Sequence, residues 1–306
     1  MSDAFKLMSE KRSAWPETVE NTAIPRLHEK LGPNEVAVTF VNHATFLIQM
    51  AGLNILTDPV WSNRIGSFGW LGSARVRKPG VAFDDLPRID LILISHNHYD
   101  HLDLDTLKRL SQKFSPTVLV PIGDKDLVES AGFTDVRELD WWENIEIGQG
   151  LKITFTPTQH FSRRGLFDLQ KSLWGSYLIQ GGGQSVYFGG DTGYSIHFAE
   201  IKKRLGASDI ALLGIGAYEP RWFMQPIHMN PAEAVKADID LGAKQSIAMH
   251  FGTYQLSSES IDQPPADLKT ALAKEGVPKD RFVVLTEGET RIYRGGSTYD
   301  KTLPTQ

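Results

Sequence analysis

The chain contains no cysteine, so disulfides, thiolate metal ligands and a cysteine nucleophile are all excluded. Any metal must therefore be held by imidazole or carboxylate. A Lys/Arg-rich run is also missing, and the formal net charge of -5 gives no general attraction to a phosphate backbone, so nucleic acid is not expected as a partner. Long apolar runs are absent too. Met1 to Glu20 mixes charges with isolated apolar residues, which predicts neither a signal peptide nor a membrane span. The expected location is cytoplasmic, with peripheral membrane contact and a homodimer left open. What remains is an ordinary globular composition, 41% hydrophobic over 306 residues, enough to bury a substantial core.

Residues 1–34 are polar, carry Pro16, Pro25 and Pro33, show no sustained period, and are expected to form an irregular lead-in. Val36 to Val41, Thr45 to Met50 and Asn54 to Thr57 are short β-rich runs separated by tight turns, which predicts an antiparallel meander. Strand-like apolar runs continue at Leu91 to Ile94, Thr117 to Val120, Leu151 to Phe155, Leu173 to Ile179, Ser185 to Phe188, Ile210 to Leu213 and Gln245 to Met249. Helices are predicted at Leu104 to Gln112, Lys125 to Ala131, Ile196 to Leu205, Pro231 to Leu241 and Ala266 to Glu275. The helix from Pro231 has the clearest start, with Asn230 as its N-cap and Gly242 after its end. Gly181-Gly182-Gly183 lacks the strand-to-helix setting of a phosphate loop and reads as a hairpin turn. The whole predicts an α/β fold of mixed sheets with helices on their outer faces, one domain over residues 35–295, and a tail at 296–306.

The strongest chemical signal is Ser95-His96-Asn97-His98-Tyr99-Asp100-His101, directly after the apolar run Leu91 to Ile94. On extended backbone His96 and His98 point to one side, and a following turn can bring Asp100 and His101 to a second centre. This spacing suits two cations side by side. Polar residues at the carboxyl ends of apolar strands meet in one crevice, and His160, Asp191 and His250 each stand where such a run gives way to a Gly- or Pro-containing loop. A lone histidine there is more often a hydrogen-bonded structural residue. The cluster changes the balance, since packing so many imidazoles together without a metal would create repulsion on protonation. The expected ligand set is therefore His96, His98, Asp100, His101, His160, Asp191 and His250. His28 and His197 lack this context and read as structural, His43 is undecided, and Asp58 reads equally as a turn-former or as a carboxylate orienting an imidazole ligand.

The His-x-His-x-Asp-His run, followed by single His, Asp and His positions, resembles the metallo-β-lactamase superfamily. The finer resemblance is to N-acylphosphatidylethanolamine-hydrolysing phospholipase D and its bacterial relatives. It rests on residues 54–59 (NILTDP), 95–103 (SHNHYDHLD), 139–143 (LDWWE), 190–194 (GDTGY) and 216–224 (GAYEPRWFM), and spans roughly residues 35–290. The resemblance implies a four-layer αββα sandwich and two zinc ions, with Mn2+ or Fe2+ as alternatives. It assigns His96, His98 and His160 to one ion, Asp100, His101 and His250 to the other, and Asp191 to both. It further implies that Tyr99 and His228 contact the substrate near a phosphodiester.

A cation pair of this kind activates water at neutral pH and clamps phosphoryl oxygens, so a protein nucleophile is unnecessary. The expected catalytic residues are Asp100, Asp191 and His228, the last binding phosphate or protonating the leaving oxygen. The expected partner is a phospholipid or small phosphodiester, and hydrolysis of a lactone or other ester is the alternative. Trp222, Phe223 and Met224 are expected to wall the pocket, whereas Trp141 and Trp142 are expected in the core. The segment from Ile65 to Val81, with Phe68, Trp70, Leu71, Arg75, Arg77 and Lys78, reads equally as a lipid contact or an ordinary surface loop.

Overall fold

The computed structural model describes residues 12–28, 31–66, 72–148 and 150–295. The first half runs β1 (Glu35–Asn42), β2 (Thr45–Met50), β3 (Leu53–Thr57), a two-stranded ribbon of β4 (Arg64–Ile65) and β5 (Ser73–Ala74), β6 (Leu91–Leu93), α1 (Leu104–Lys113), β7 (Thr117–Pro121), α2 (Lys125–Glu129) and β8 (Val136–Leu139). The second half runs β9 (Asn144–Ile147), β10 (Leu151–Thr156), β11 (Ser176–Gly181), β12 (Gln184–Phe188), α3 (His197–Leu205), β13 (Ile210–Gly214), α4 (Arg221–Met224), α5 (Pro231–Leu241), β14 (Gln245–Met249), α6 (Gln263–Glu275), β15 (Phe282–Val283) and β16 (Thr290–Arg294). Among the described residues, no helix is long and apolar enough to cross a membrane.

Two seven-stranded sheets result, in the orders β16-β1-β2-β3-β6-β7-β8 and β15-β14-β13-β12-β11-β10-β9. Each is antiparallel on one side and parallel on the other, the change falling at β3/β6 in the first and β12/β13 in the second. The meander expected at the start is present, with Leu47 opposite Leu56 and Val38 opposite Ile48.

Alternation along the strands explains the four layers. On the inner faces, Val38, Phe40, Ile48, Ile55, Leu91, Leu93 and Leu119 of one sheet meet Ile153, Phe155, Ile179, Val186, Leu212, Ile247 and Met249 of the other. The intervening residues face outward onto helices: Leu56, Ile92, Ile94 and Val118 against Leu107 and Leu110 of α1, and Tyr187, Ala211, Leu213 and Ala248 against α3, α5 and α6. Strands buried on both faces read in sequence as unbroken apolar runs, which is why their existence was legible and their facing was not.

Local rules hold at several joints. Gly182 and Gly183 both have positive φ, 56° and 70°, as the turn between β11 and β12 requires. Asn230 accepts from the Glu233 backbone while the Glu233 side chain returns to the Asn230 N–H, a complete capping box on α5. Helix α6 starts three residues earlier than periodicity alone suggests, since Pro264 and Pro265 sit in its first turn, where a missing N–H costs nothing. Between residues 12 and 34 the described backbone contains no helix or strand, only a bridge from Val19 to Arg77. The 296–306 tail lies outside the described residues.

Candidate metal centre

The chemically active positions come from strand ends. Asp58 follows β3, the Ser95–His101 run follows β6, His160 follows β10, Asp191 follows β12 and His250 follows β14 directly. Each fully buried Leu, Ile or Phe below them contributes roughly 1.5–3 kcal/mol, a scaffold able to hold backbone strain above it. Strain is present: His43, Asp58, Ala217 and His250 are all left-handed, with φ of 48°, 32°, 59° and 60°.

The donor atoms form two adjoining groups. In the first, His96 Nε2 and His98 Nδ1 are 2.8 Å apart and His160 Nε2 is 3.2 Å from His98 Nδ1. Asp191 Oδ2 stands 3.9 Å from His96 and 3.7 Å from His160. In the second, Asp100 Oδ2 lies 3.4 Å from His101 Nε2 and 3.3 Å from His250 Nε2. The same Asp191 oxygen lies 3.2 Å from both of those nitrogens. Donors around a four-coordinate cation with bonds of roughly 2.0–2.2 Å stand about 3.3–3.6 Å apart, so the second group in particular has the spacing of a coordination shell. Asp191 Oδ2 faces both groups.

The ring orientations agree. Asp58 Oδ2 is 2.6 Å from His101 Nδ1, and the Asp58 carboxylate is itself held by the Ser95 N–H at 2.7 Å and the Ser95 hydroxyl at 2.6 Å. With Nδ1–H donating to Asp58, His101 Nε2 faces the two aspartates and makes no hydrogen bond among the described residues. His160 is likewise turned by a bond from Nδ1 to the Ile227 carbonyl, 2.9 Å. A ring nitrogen buried beside two carboxylates without a hydrogen bond fits a bound cation.

Electrostatics separates the two groups. Burial holds the His96 pKa well below its ordinary value, with neighbouring imidazoles adding to the effect. Burial also lowers His98 and His160. These rings offer lone pairs at neutral pH. At His101 and His250 burial works the same way but Asp191 and Asp100 outweigh it, so His101 is raised well above the usual range and His250 to about 9. Protons there stand where a cation's charge would, and a cation binding there would displace them. Asp100 and Asp191 stay well below the usual carboxylate range despite burial, chiefly because of His101.

The residues expected to touch substrate surround this cluster unevenly. His228 packs on His250 with ring centres 5.2 Å apart, and its Nδ1 is 3.9 Å from Asp191 Oδ2. Burial lowers its pKa to about 4. Tyr99 points its hydroxyl at the Arg164 carbonyl, 2.8 Å, beneath the Arg164 guanidinium. That guanidinium grips the carbonyls of Asn97 and Leu102 and so fixes the His96–His101 turn. Trp222 is 38% exposed and Met224 half-buried on α4, whose end leads to His228 through a 2.8 Å bond from the His228 N–H to the Met224 carbonyl.

The 216–224 segment, read in sequence for its resemblance and for a pocket wall at its end, is the scaffold for His228. Buried Glu259 accepts from the N–H groups of Ala217, Tyr218 and Glu219. Arg221 donates to the His228 carbonyl at 3.0 Å and to Glu233 at 2.7 Å. Neither Arg221 nor Arg164 was singled out as functional, because an arginine bonded to carbonyls has no local pattern. Asp58 resolves as an orienting carboxylate. His28 lies outside the donor groups, and His197 bonds Ser195 and Thr192 rather than joining them. Trp141 and Trp142 are half-buried against the cores, as expected. Of the segment from Ile65 to Val81, Phe68, Trp70 and Leu71 lie outside the described residues. Arg75 is taken up by Tyr254 and the Val60 carbonyl, and Arg77 by Glu287, which favours a structural part for these two.

Comparison with known proteins agrees with this architecture. Residues 53–251 match the Beta-lactamase superfamily domain. The chain is 37% identical to the N-acyl-phosphatidylethanolamine-hydrolyzing phospholipase D 1 of Caenorhabditis elegans, over 89% of this chain and 79% of that one. It is 40% identical to the mitochondrial enzyme of the same description from Saccharomyces cerevisiae, over 79% of this chain and 53% of the yeast one. Among solved structures, a metallo hydrolase from Ignicoccus hospitalis superposes with a TM-score of 0.63 at 22% identity, covering 85% of this chain and 99% of that one. An isothiocyanate hydrolase from Delia radicum gut bacteria gives 0.66 at 23%, covering 84% and 99%. At such identities these two bear on the fold alone. The chain belongs to the metallo-β-lactamase superfamily, in the family of the N-acylphosphatidylethanolamine-hydrolysing phospholipases D, and is a metal-dependent hydrolase.

Proposed function

We propose that the centre holds two divalent cations, zinc by the character of its imidazole and carboxylate donors, with Mn2+ or Fe2+ as alternatives. His96, His98 and His160 would hold one, Asp100, His101 and His250 the other, and Asp191 both. The reaction is phospholipase D-type hydrolysis of an N-acylphosphatidylethanolamine-like phosphodiester, giving a phosphatidic acid and an N-acylethanolamine. The observation that carries this reading is the single Asp191 oxygen facing both donor groups, at 3.2 to 3.9 Å from four imidazole nitrogens. The substrate class is supported by the worm and yeast relatives, each described as hydrolysing that lipid.

When bound, such a cation pair supplies a nucleophilic water at neutral pH and neutralises phosphoryl oxygens. The chain's own groups do the rest. Asp100 and Asp191, ionised at neutral pH, orient the attacking water. His228, lowered to about 4 by burial, is neutral at pH 7 and acts as a hydrogen-bond donor to a phosphoryl oxygen rather than as an acid. Trp222 and Met224 border the lipid, and Tyr99 supports the histidine turn through Arg164.

The test is mass spectrometry of products from vesicles of N-acylphosphatidylethanolamine incubated with wild type and with Asp191→Ala. Wild type releases phosphatidic acid and N-acylethanolamine together, and the variant releases neither. Release that persists in the variant, or an intact lipid with wild type, overturns the reading.

A further inference from the structure

His43 lies in the turn between β1 and β2, where its sequence neighbours mark it only as a hairpin residue. Glycine or asparagine would take the left-handed backbone found there at less cost, yet a histidine occupies it with φ of 48°. That backbone turns the ring inward. The imidazole is buried, its ring centre 4.1 Å from that of His250 at a tilt of 42° and 5.6 Å from the His101 ring. Its backbone is pinned from a distant part of the chain: the His43 N–H donates to Thr253 Oγ1 at 3.0 Å, and its carbonyl accepts from the His250 N–H at 2.8 Å.

The ring nitrogen Nε2 is 3.0 Å from Asp100 Oδ2. Its other nitrogen, Nδ1, makes no hydrogen bond among the described residues. Two roles compete. A fifth ligand would stand at ligand-to-ligand spacing from Asp100, as His101 and His250 do at 3.4 and 3.3 Å. His43 Nε2 lies close enough to Asp100, His101 and His250 to share an ion with them, but those three and Asp191 already supply four donors, and its 3.0 Å approach to Asp100 is an ordinary hydrogen-bond length, so the geometry favours donation from Nε2–H into the carboxylate. We infer that His43 is a positioning residue, an N–H donor that fixes the Asp100 carboxylate as a ligand of the second cation, as Asp58 fixes the His101 ring from the other side. The inference rests on the two-cation reading above and adds a residue that the reading does not use.

The experiment is metal analysis of the full-length protein after equilibrium dialysis against stepped chelator concentrations, for wild type, His43→Ala, His43→Asn and His43→Gln. Partners that orient a metal ligand are typically worth 10- to 100-fold in metal affinity. His43→Ala is therefore expected to release one of two zinc ions about 10- to 100-fold more readily while retaining the other. His43→Gln, whose amide keeps an N–H at similar reach but does not ligate zinc, is expected to recover most of that loss. His43→Asn, which tolerates the left-handed turn but reaches less far, keeps the fold if alanine does not and shows the same selective loss. Unchanged release of both ions in alanine and asparagine variants overturns the proposal. Loss in the glutamine variant equal to that in alanine overturns it in favour of direct ligation. A wild type that retains fewer than two ions instead overturns the two-cation reading on which it stands.

Discussion

Asp58 Oδ2 and His101 Nδ1 lie 2.6 Å apart in a completely buried pair, and the carboxylate's two oxygens are also bonded by the N–H and hydroxyl of Ser95. One side chain therefore sets both the tautomer of His101 and the start of the histidine turn. Asp58→Asn leaves the packing intact but offers a weaker, wrongly poised acceptor. We expect a 10- to 100-fold drop in affinity for one cation, read by the same metal analysis, with the far-UV circular dichroism unchanged. Wild-type retention of both ions would show that the contact is structural only.

Asp124 is buried beneath the same turn, where Asn97 Nδ2 donates to its Oδ1 at 2.9 Å while Oδ2 has no partner among the described residues. Burial raises its pKa to about 6. A folded-state pKa above the unfolded value means the stabilisation is complete below about pH 4 and is lost as pH rises through 6. Asp124→Asn removes that loss. The variant should match wild type in denaturant unfolding at pH 4 and exceed it at pH 8 by up to roughly 3 kcal/mol. Equal stability at both values would mean the group is not desolvated as described.

Arg221 holds the His228 carbonyl and Glu233 with separate nitrogens of one guanidinium. A lysine has one donor head and cannot span both. Small displacements of a substrate-positioning group cost up to about 100-fold in rate, so on the proposed role of His228 Arg221→Lys is expected to lower kcat for the proposed phosphodiester hydrolysis by about 10- to 100-fold with Tm little changed. A kcat within twofold of wild type would remove Arg221 from the positioning of His228.

Asn230 caps α5 and is not among the donor groups. Asn230→Ala should cost about 1 kcal/mol and lower Tm by about 2 °C without changing metal content. Thermal unfolding that is unaltered would mean that the box contributes nothing to the cooperative unit.

The histidine run at 96–101 was legible because four donors within six residues after an apolar strand have no periodic explanation. His160, Asp191 and His250 were found by position, since the crevice rule needs only the ends of strands. The short helix Arg221–Met224 and strands β8, β9, β15 and β16 left no usable period, being four or five residues long or fewer. His43 stayed undecided because a turn histidine looks the same whether its ring faces water or a carboxylate.

Residue types and their order along the chain thus determined which groups could bind a cation, the unbroken apolar strands that carry them, and the caps and turns that punctuate the fold. All of these are local properties of backbone and side chain. Which nitrogen faces which oxygen was decided only by strand order and sheet packing. The order of strands within the first sheet set His43 against Asp100 and Asp58 against His101, contacts separated by 57 and 43 positions. Packing of the second sheet on the first closed the Thr253 bond to His43 across 210 positions. No local pattern encodes such pairings, because they are fixed by burial of the shared core and not by neighbouring sequence.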